Sequence, residues 1–136
     1  MTDVPRGAFA EIMVPFPPSG NRYWRVWNKK IEKSKEGKVY INTVCLMTLK
    51  WRRMFWEGRV FLHVELYPPD DKARDLDNHI KVLQDGLERA QVYQNDSQID
   101  ILLVERKEIR NPGCAVVRIM ELKDKEWYLQ NNCASW

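Results

Sequence analysis

Asp75 and Asp77 stand two residues apart, Lys81 follows four positions after Asp77, and Asp96 lies further on in Asn95-Asp96-Ser97-Gln98. Two or three aspartates with open water positions suit a hard divalent cation such as Mg2+ or Mn2+, because such ions prefer oxygen ligands. Hydrolysing a phosphodiester near neutral pH needs an activated water and neutralisation of the charge building on the phosphoryl oxygens, and a bound cation serves both needs. A lysine beside the carboxylates can steady that charge or orient the water. The same residues also fit an ordinary arrangement. Asp75 can cap a helix, Asp77 can complement its dipole, and Asp77 and Lys81 can form a surface ion pair of ~0.3–0.5 kcal/mol. The residues alone give this second arrangement at least equal weight.

The chemistry depends on the elements that carry it. Leu76, Ile80, Leu83 and Leu87 recur at helical spacing, which predicts a helix from about Leu76 to Ala90. Asp77 and Lys81 then share one face of it, continued by Gln84, Asp85 and Glu88, opposite the apolar stripe. The N-terminus of a helix is the positive end of its dipole and repels a cation, so a third acid is required. Asp96 can supply it under one condition. A helix from Asp77 to Ala90 is ~20 Å long, and six further residues reach back ~20 Å at most. Two aspartates on one ion tolerate a Cα gap of ~9 Å. Residues 91–96 must therefore fold straight back along the helix, or the acid must come from a partner subunit. His63 and His79 show no paired spacing, and neither is expected to bind a metal.

Upstream, Phe9 to Phe16 reads as a strand stopped by Pro17-Pro18-Ser19-Gly20-Asn21, and Tyr23–Trp27 with Lys30–Lys33 as a short hairpin. Ser34 is the expected N-cap of a helix running to about Phe55, with Val39, Thr43, Leu46, Met47, Leu49 and Met54 as a rough stripe and Gly37 weakening its first turn. Val60 to Tyr67 alternates like a strand, and Asp100–Ile109 and Ala115–Leu122 read as two more, joined by a turn at Asn111-Pro112-Gly113. The expected architecture is α+β: a single domain over residues 1–136, with a mainly antiparallel mixed sheet and two main helices.

Charge is unevenly placed. From Arg22 to Arg53 ten basic residues face two acids, a local +8, which leaves −5 for the rest of a chain whose net charge is +3. Such a split suits a protein that grips a polyanion and does metal chemistry on it, although on charge alone a lopsided solvated surface is the stronger reading. Cys45, Cys114 and Cys133 form neither a disulfide framework nor a zinc pattern, and no apolar run approaches a membrane span. A cytoplasmic protein with reduced thiols is expected.

Pro17-Pro18-Ser19-Gly20-Asn21-Arg22-Tyr23-Trp24-Arg25, Ser34-Lys35-Glu36-Gly37, Arg74-Asp75-Leu76-Asp77-Asn78 within Pro68–Lys81, and Asn95-Asp96-Ser97-Gln98 occur in this order. In these motifs the chain resembles the RusA family of Holliday junction resolvases, over about Phe9 to Leu122, with residues 123–136 as a tail. The resemblance implies a homodimeric, Mg2+-dependent endonuclease, with Mn2+ as a substitute, that resolves four-way junctions by paired symmetric nicks in DNA recombination and repair. It places the catalytic aspartates on Asp75, Asp77 and Asp96 and the essential lysine on Lys81. Where such proteins often carry two adjacent acids, this chain has Asn95 before Asp96. Many sequences of this kind belong to phages and prophages. With the resemblance, the basic segment becomes a DNA surface: Arg22, Arg25, Lys29, Lys30, Lys33, Lys35 and Lys38 for phosphates, Tyr23 and Trp24 for stacking, and Arg74 beside the aspartates. For any one of these residues a solvated surface role stays the stronger reading. A less selective nuclease on branched or flap DNA, and a non-catalytic dimer that binds branched DNA, are the alternatives.

Overall fold

The alternating run Val60–Tyr67 lies at the heart of the molecule, described for residues 7–27 and 30–132 by a computed structural model. In chain order the elements are β1 (Phe9–Pro15), α1 (Gly20–Tyr23), β2 (Trp24–Trp27), β3 (Lys30–Lys33), α2 (Lys35–Met47), β4 (Val60–Tyr67), α3 (Leu76–Arg89), β5 (Ile99–Arg106), β6 (Cys114–Glu121) and α4 (Lys125–Asn132). Short 3-10 turns span Leu49–Trp51, Asp96–Gln98 and Leu122–Asp124.

Four strands form one sheet in the order β1-β6-β4-β5, and β2 and β3 pair separately. Only β4 and β5 run parallel, joined across α3; β1–β6, β6–β4 and β2–β3 are antiparallel. The expected α+β class with a mainly antiparallel mixed sheet is what the chain adopts. The two strands expected around Asn111-Pro112-Gly113 are not neighbours, because β4 lies between them. A strand with apolar residues at every second position, and further large residues between, is stable only with both faces covered, so β4 takes the centre.

Leu62, Val64 and Leu66 meet the helices α2 and α3 in the larger core, with Ile80, Leu83 and Leu87 of the predicted stripe buried and Leu76 partly buried against them. Phe61 faces the other way, beneath Tyr128 of α4. The second helix differs from its expectation in length and face. It ends at Met47, where the Thr48 hydroxyl donates back to the Val44 carbonyl at 2.7 Å. Its buried residues are Gly37, Tyr40 and Val44, whereas Val39, Leu46, Met47, Leu49 and Met54 are exposed. The expected stripe is thus largely turned to solvent, and Gly37, Tyr40 and Val44 form the face that packs inward. Gly86 of α3 would put a Cβ 3.6 Å from Val44, ordinary contact that brings the two helices close.

Candidate active site

α3 begins where the chain leaves β4 and crosses residues 68–75, a loop held from several sides. The Arg110 amide donates to the Pro68 carbonyl at 2.9 Å, the Lys72 amide to Asp70 Oδ1 at 3.0 Å, and Arg74 pairs with Asp70 at 2.7 Å. Hydrogen bonds from Arg74 and the Lys72 amide hold the Asp70 carboxyl down at about 2. Arg74 lies over the Phe16 ring, and Arg106 donates to its carbonyl. Its guanidinium is thus engaged in shaping the loop that delivers Asp75.

Asp75 occupies the N-cap position of α3 but makes no side-chain capping bond. Asp77 and Lys81 lie on the exposed face of the helix, and the surface ion pair does not form. Of the ordinary arrangement's three interactions, the cap and the ion pair do not form, and only the placement of Asp77 in the first turn, where it complements the helix dipole, is present. After α3 the chain does fold back: the Gln91 amide donates to Glu88 O, Val92 to Leu87 O, the Tyr93 hydroxyl to Gln84 O at 2.7 Å, and the Asp96 amide to Glu88 Oε1 at 2.8 Å. This return path puts Asp96 on the same cleft as Asp75, Asp77, Lys81, Gln84 and Asp85, a space of about 750 Å³ whose other wall is Gly20, Asn21, Tyr23 and Trp24. Among the described residues, the side chains of Asp75, Asp77, Lys81 and Asp96 carry no hydrogen bond or ion pair.

Asn95 is explained locally. Its side chain accepts from the Ser97 amide at 2.8 Å while Gln98 Oε1 accepts from the Asn95 amide at 2.9 Å, a capping box that fixes the 3-10 turn presenting Asp96. Gln98 is tied in turn to the carbonyls of Phe55 and Gly58. Asn95 does not line the cleft, and its side chain is taken up by the turn itself.

The opposite wall is anchored to the aspartate helix by three bonds. Asn78 Oδ1 accepts from the Gly20 amide at 3.2 Å, His79 Nδ1 lies 2.9 Å from the Pro17 carbonyl, and the Tyr23 hydroxyl donates to Asp85. Here the stacking expectation for Tyr23 needs correction. Tyr23 is 1% exposed and its ring belongs to the main core, so no base can reach it. Burial first, then the bond to Asp85 and its charge, push the phenol well above its usual range. Trp24, 45% exposed, keeps an open ring, with Lys33 Nζ 5.5 Å from its centroid. Arg22 is exposed beside it. Arg25 and Lys30 stand on the hairpin strands, and Lys29 lies outside the described residues.

Gly37 closes this arrangement. A Cβ there would lie 2.6 Å from the Tyr23 carbonyl oxygen, a clash with backbone. Alanine ordinarily stabilises a helix over glycine by ~1 kcal/mol. Gly37→Ala is expected to reverse that sign and cost ~1–3 kcal/mol by overpacking, read from urea denaturation. A variant as stable as the parent would show that the hairpin root yields freely.

A second cluster lies on the far side of the sheet. The ligand atoms of His63, Glu65 and Glu105 fall within 4.8 Å of one another, and neither histidine was expected to bind a metal from the sequence. No sequence spacing announced the group, because β4 and β5 bring it together only in the sheet. His63 Nε2 lies 2.7 Å from Glu105, Lys107 reaches Glu65 and Glu105 at 3.3 and 3.4 Å, and Arg118 pairs with Glu65 and Glu11. Burial would raise the Glu65 carboxyl, but Arg118 and Lys107 more than offset it and hold it below the usual range. Two protein cations already neutralise this group. The cleft aspartates are spread more widely, and as unpaired hard oxygen donors beside water they are compatible with a divalent cation.

Comparison with known proteins settles the family. The model of the endodeoxyribonuclease RusA family matches residues 15–120. The chain belongs to the RusA family. RusA proteins are endodeoxyribonucleases, hydrolases acting on DNA. The chain is 32% identical over 115 residues to the crossover junction endodeoxyribonuclease RusA of Enterobacteria phage HK97, covering 83% of this chain and 95% of that one. It is 30% identical over 112 residues to the RusA protein of the same name from Escherichia coli (strain K12), and equally to that of Enterobacteria phage 82, covering 82% of this chain and 93% of each. The RusA match takes in both walls of the cleft, from Gly20 to Asp96. Among the described residues no helix is long and apolar enough to cross a membrane.

Proposed function

We propose that this chain is a Mg2+-dependent, structure-specific endodeoxyribonuclease that resolves four-way junctions by paired symmetric nicks in DNA recombination and repair. The observation that supports it most is the cleft itself. Three carboxylates and one ammonium, unpaired among the described residues, share it, and neither helix capping nor an ion pair accounts for them. Relatives that match nearly their whole length are named crossover junction endodeoxyribonucleases.

Asp75 and Asp77 offer oxygen donors at the start of α3, and Asp96 offers one from the returning chain. Their charges offset the positive end of the helix dipole, which would otherwise repel a cation. A bound Mg2+, or Mn2+ in its place, supplies Lewis acidity and an activated water for phosphodiester attack. Lys81, a compact point charge, steadies the developing charge on the phosphoryl oxygens. Arg22, Arg25, Lys29 and Lys30 hold the DNA backbone, the open ring of Trp24 stacks on an unpaired base, and Arg74 shapes the loop next to the phosphate. Two nicks on strands related by symmetry need two equivalent sites, which a homodimer with a two-fold axis supplies. One domain of this kind acts on cytoplasmic DNA.

A non-catalytic binder fits the cleft poorly, because bare carboxylates oppose a polyanion. The test is incubation of a synthetic mobile four-way junction with the protein and Mg2+, with nicks mapped on all four strands. Paired nicks at symmetric positions that vanish with chelator are expected. Cleavage of flaps at the same rate as junctions would favour the less selective nuclease, and absence of any metal-dependent nick would sink both.

A further inference from the structure

Tyr23 poses a question that burial alone does not answer. Its ring is enclosed in the main core, where a phenylalanine would pack equally well, yet its hydroxyl donates to Asp85 on α3. Asp85 stands two helical turns after Asp77 and lines the same cleft. Its other oxygen faces Arg89 at 3.6 Å, so its charge is shared between two partners, unlike those of Asp75, Asp77 and Asp96.

Tyr23 is also the root of the basic hairpin. It ends α1 and leads directly into β2, whose first residue Trp24 pairs with Lys33 at the end of β3. The Ser34 amide closes the root on the Tyr23 carbonyl at 2.8 Å, and the Ser34 hydroxyl donates to Arg22 O. β2 and β3 belong to no larger sheet. A lone two-stranded hairpin is marginally stable in water, so its orientation depends on what holds its base. The Tyr23–Asp85 bond is the contact that ties this base to the middle of the aspartate helix.

We infer that Tyr23 and Asp85 are a positioning pair, which sets the register between DNA gripped by the β2–β3 hairpin and the aspartates of α3. Asp85 is not a metal ligand in this assignment. Its task is to accept the phenol, and an asparagine oxygen can do the same. The inference rests on the endonuclease reading for its catalytic consequence, but not for its structural one.

The experiment compares Tyr23→Phe, Asp85→Ala and Asp85→Asn with the parent protein. In the free protein, hydrogen exchange of the amides in 24–27 and 30–33 is expected to speed up about 10-fold in Tyr23→Phe and Asp85→Ala, while α3 is unchanged. Asp85→Asn should exchange like the parent. On a four-way junction with Mg2+, a misplaced phosphate costs about 10- to 100-fold in single-turnover cleavage, with nick positions spread around the parent site. Junction affinity should stay within about 3-fold, since no base is removed from the hairpin. Asp85→Asn should keep both rate and nick position close to those of the parent. Unchanged hairpin exchange in Tyr23→Phe overturns the pair whatever the activity. An Asp85→Asn variant as inactive as Asp77→Asn overturns it too, and moves Asp85 among the ligands. A parent protein that cuts no DNA defeats the endonuclease reading, and the exchange result still decides the pair.

Discussion

Replacing Asp77 with asparagine is expected to lower Mg2+-dependent cleavage of a four-way junction by at least about 10³-fold while junction binding survives. The substitution keeps the size and the hydrogen-bonding oxygen of the side chain and removes one negative charge. That charge lies in the first turn of α3, where it complements the helix dipole, so the variant should lose no more than ~1 kcal/mol of stability. It makes no ion pair whose loss would leave an orphaned cation. The apolar stripe of α3 is untouched, and the basic hairpin lies across the cleft. Loss of activity with fold and affinity preserved is the signature of a cation ligand. The measurement is single-turnover cleavage at saturating enzyme over a Mg2+ titration, with gel-shift affinity and melting temperature recorded in parallel. Cleavage at the parental rate by a folded Asp77→Asn protein would remove Asp77 from the site.

Lys81→Ala is expected to slow the cleavage step by ~10²–10³-fold, the usual loss when one electrostatic contact to a transition state is removed. A surface ion pair with Asp77 would contribute at most ~0.5 kcal/mol of stability and almost nothing to activity. In the structure Lys81 is exposed on the cleft and has no such pair among the described residues. A long cation held without a partner between Asp77 and Asp85 is available to a phosphate. Lys81→Arg should restore little, because a planar fork does not fit where a compact ammonium works at close range. Binding should change little, since Lys81 is one charge beside a segment of net +8. A Lys81→Ala protein that melts normally and cuts within about 3-fold of the parent would make Lys81 an ordinary surface residue.

Much of this was written into short stretches of sequence. The stripe Leu76, Ile80, Leu83, Leu87 is a local periodic signal, so α3 and the shared face of Asp77 and Lys81 follow from helix geometry alone. Ser34 as a cap and the β2–β3 hairpin are equally local. The order of the RusA motifs named the family before any contact was known. Other features depended on contacts between residues far apart in the chain. The sequence could state that Asp96 reaches the cleft only if residues 91–96 fold back; hydrogen bonds to Gln84, Leu87 and Glu88 decided that they do. The buried face of α2 went to Tyr40 and Val44, packed against α3, and not to the stripe that its own periodicity suggested. Tyr23, which reads as an aromatic in a basic segment, is a core residue tied to Asp85, 62 positions away. His63, Glu65 and Glu105 assemble only through the parallel pairing of β4 with β5. Propensity and periodicity act over a few residues, and they specify elements. Which faces meet, and which side chains remain free for chemistry, is decided by packing between those elements.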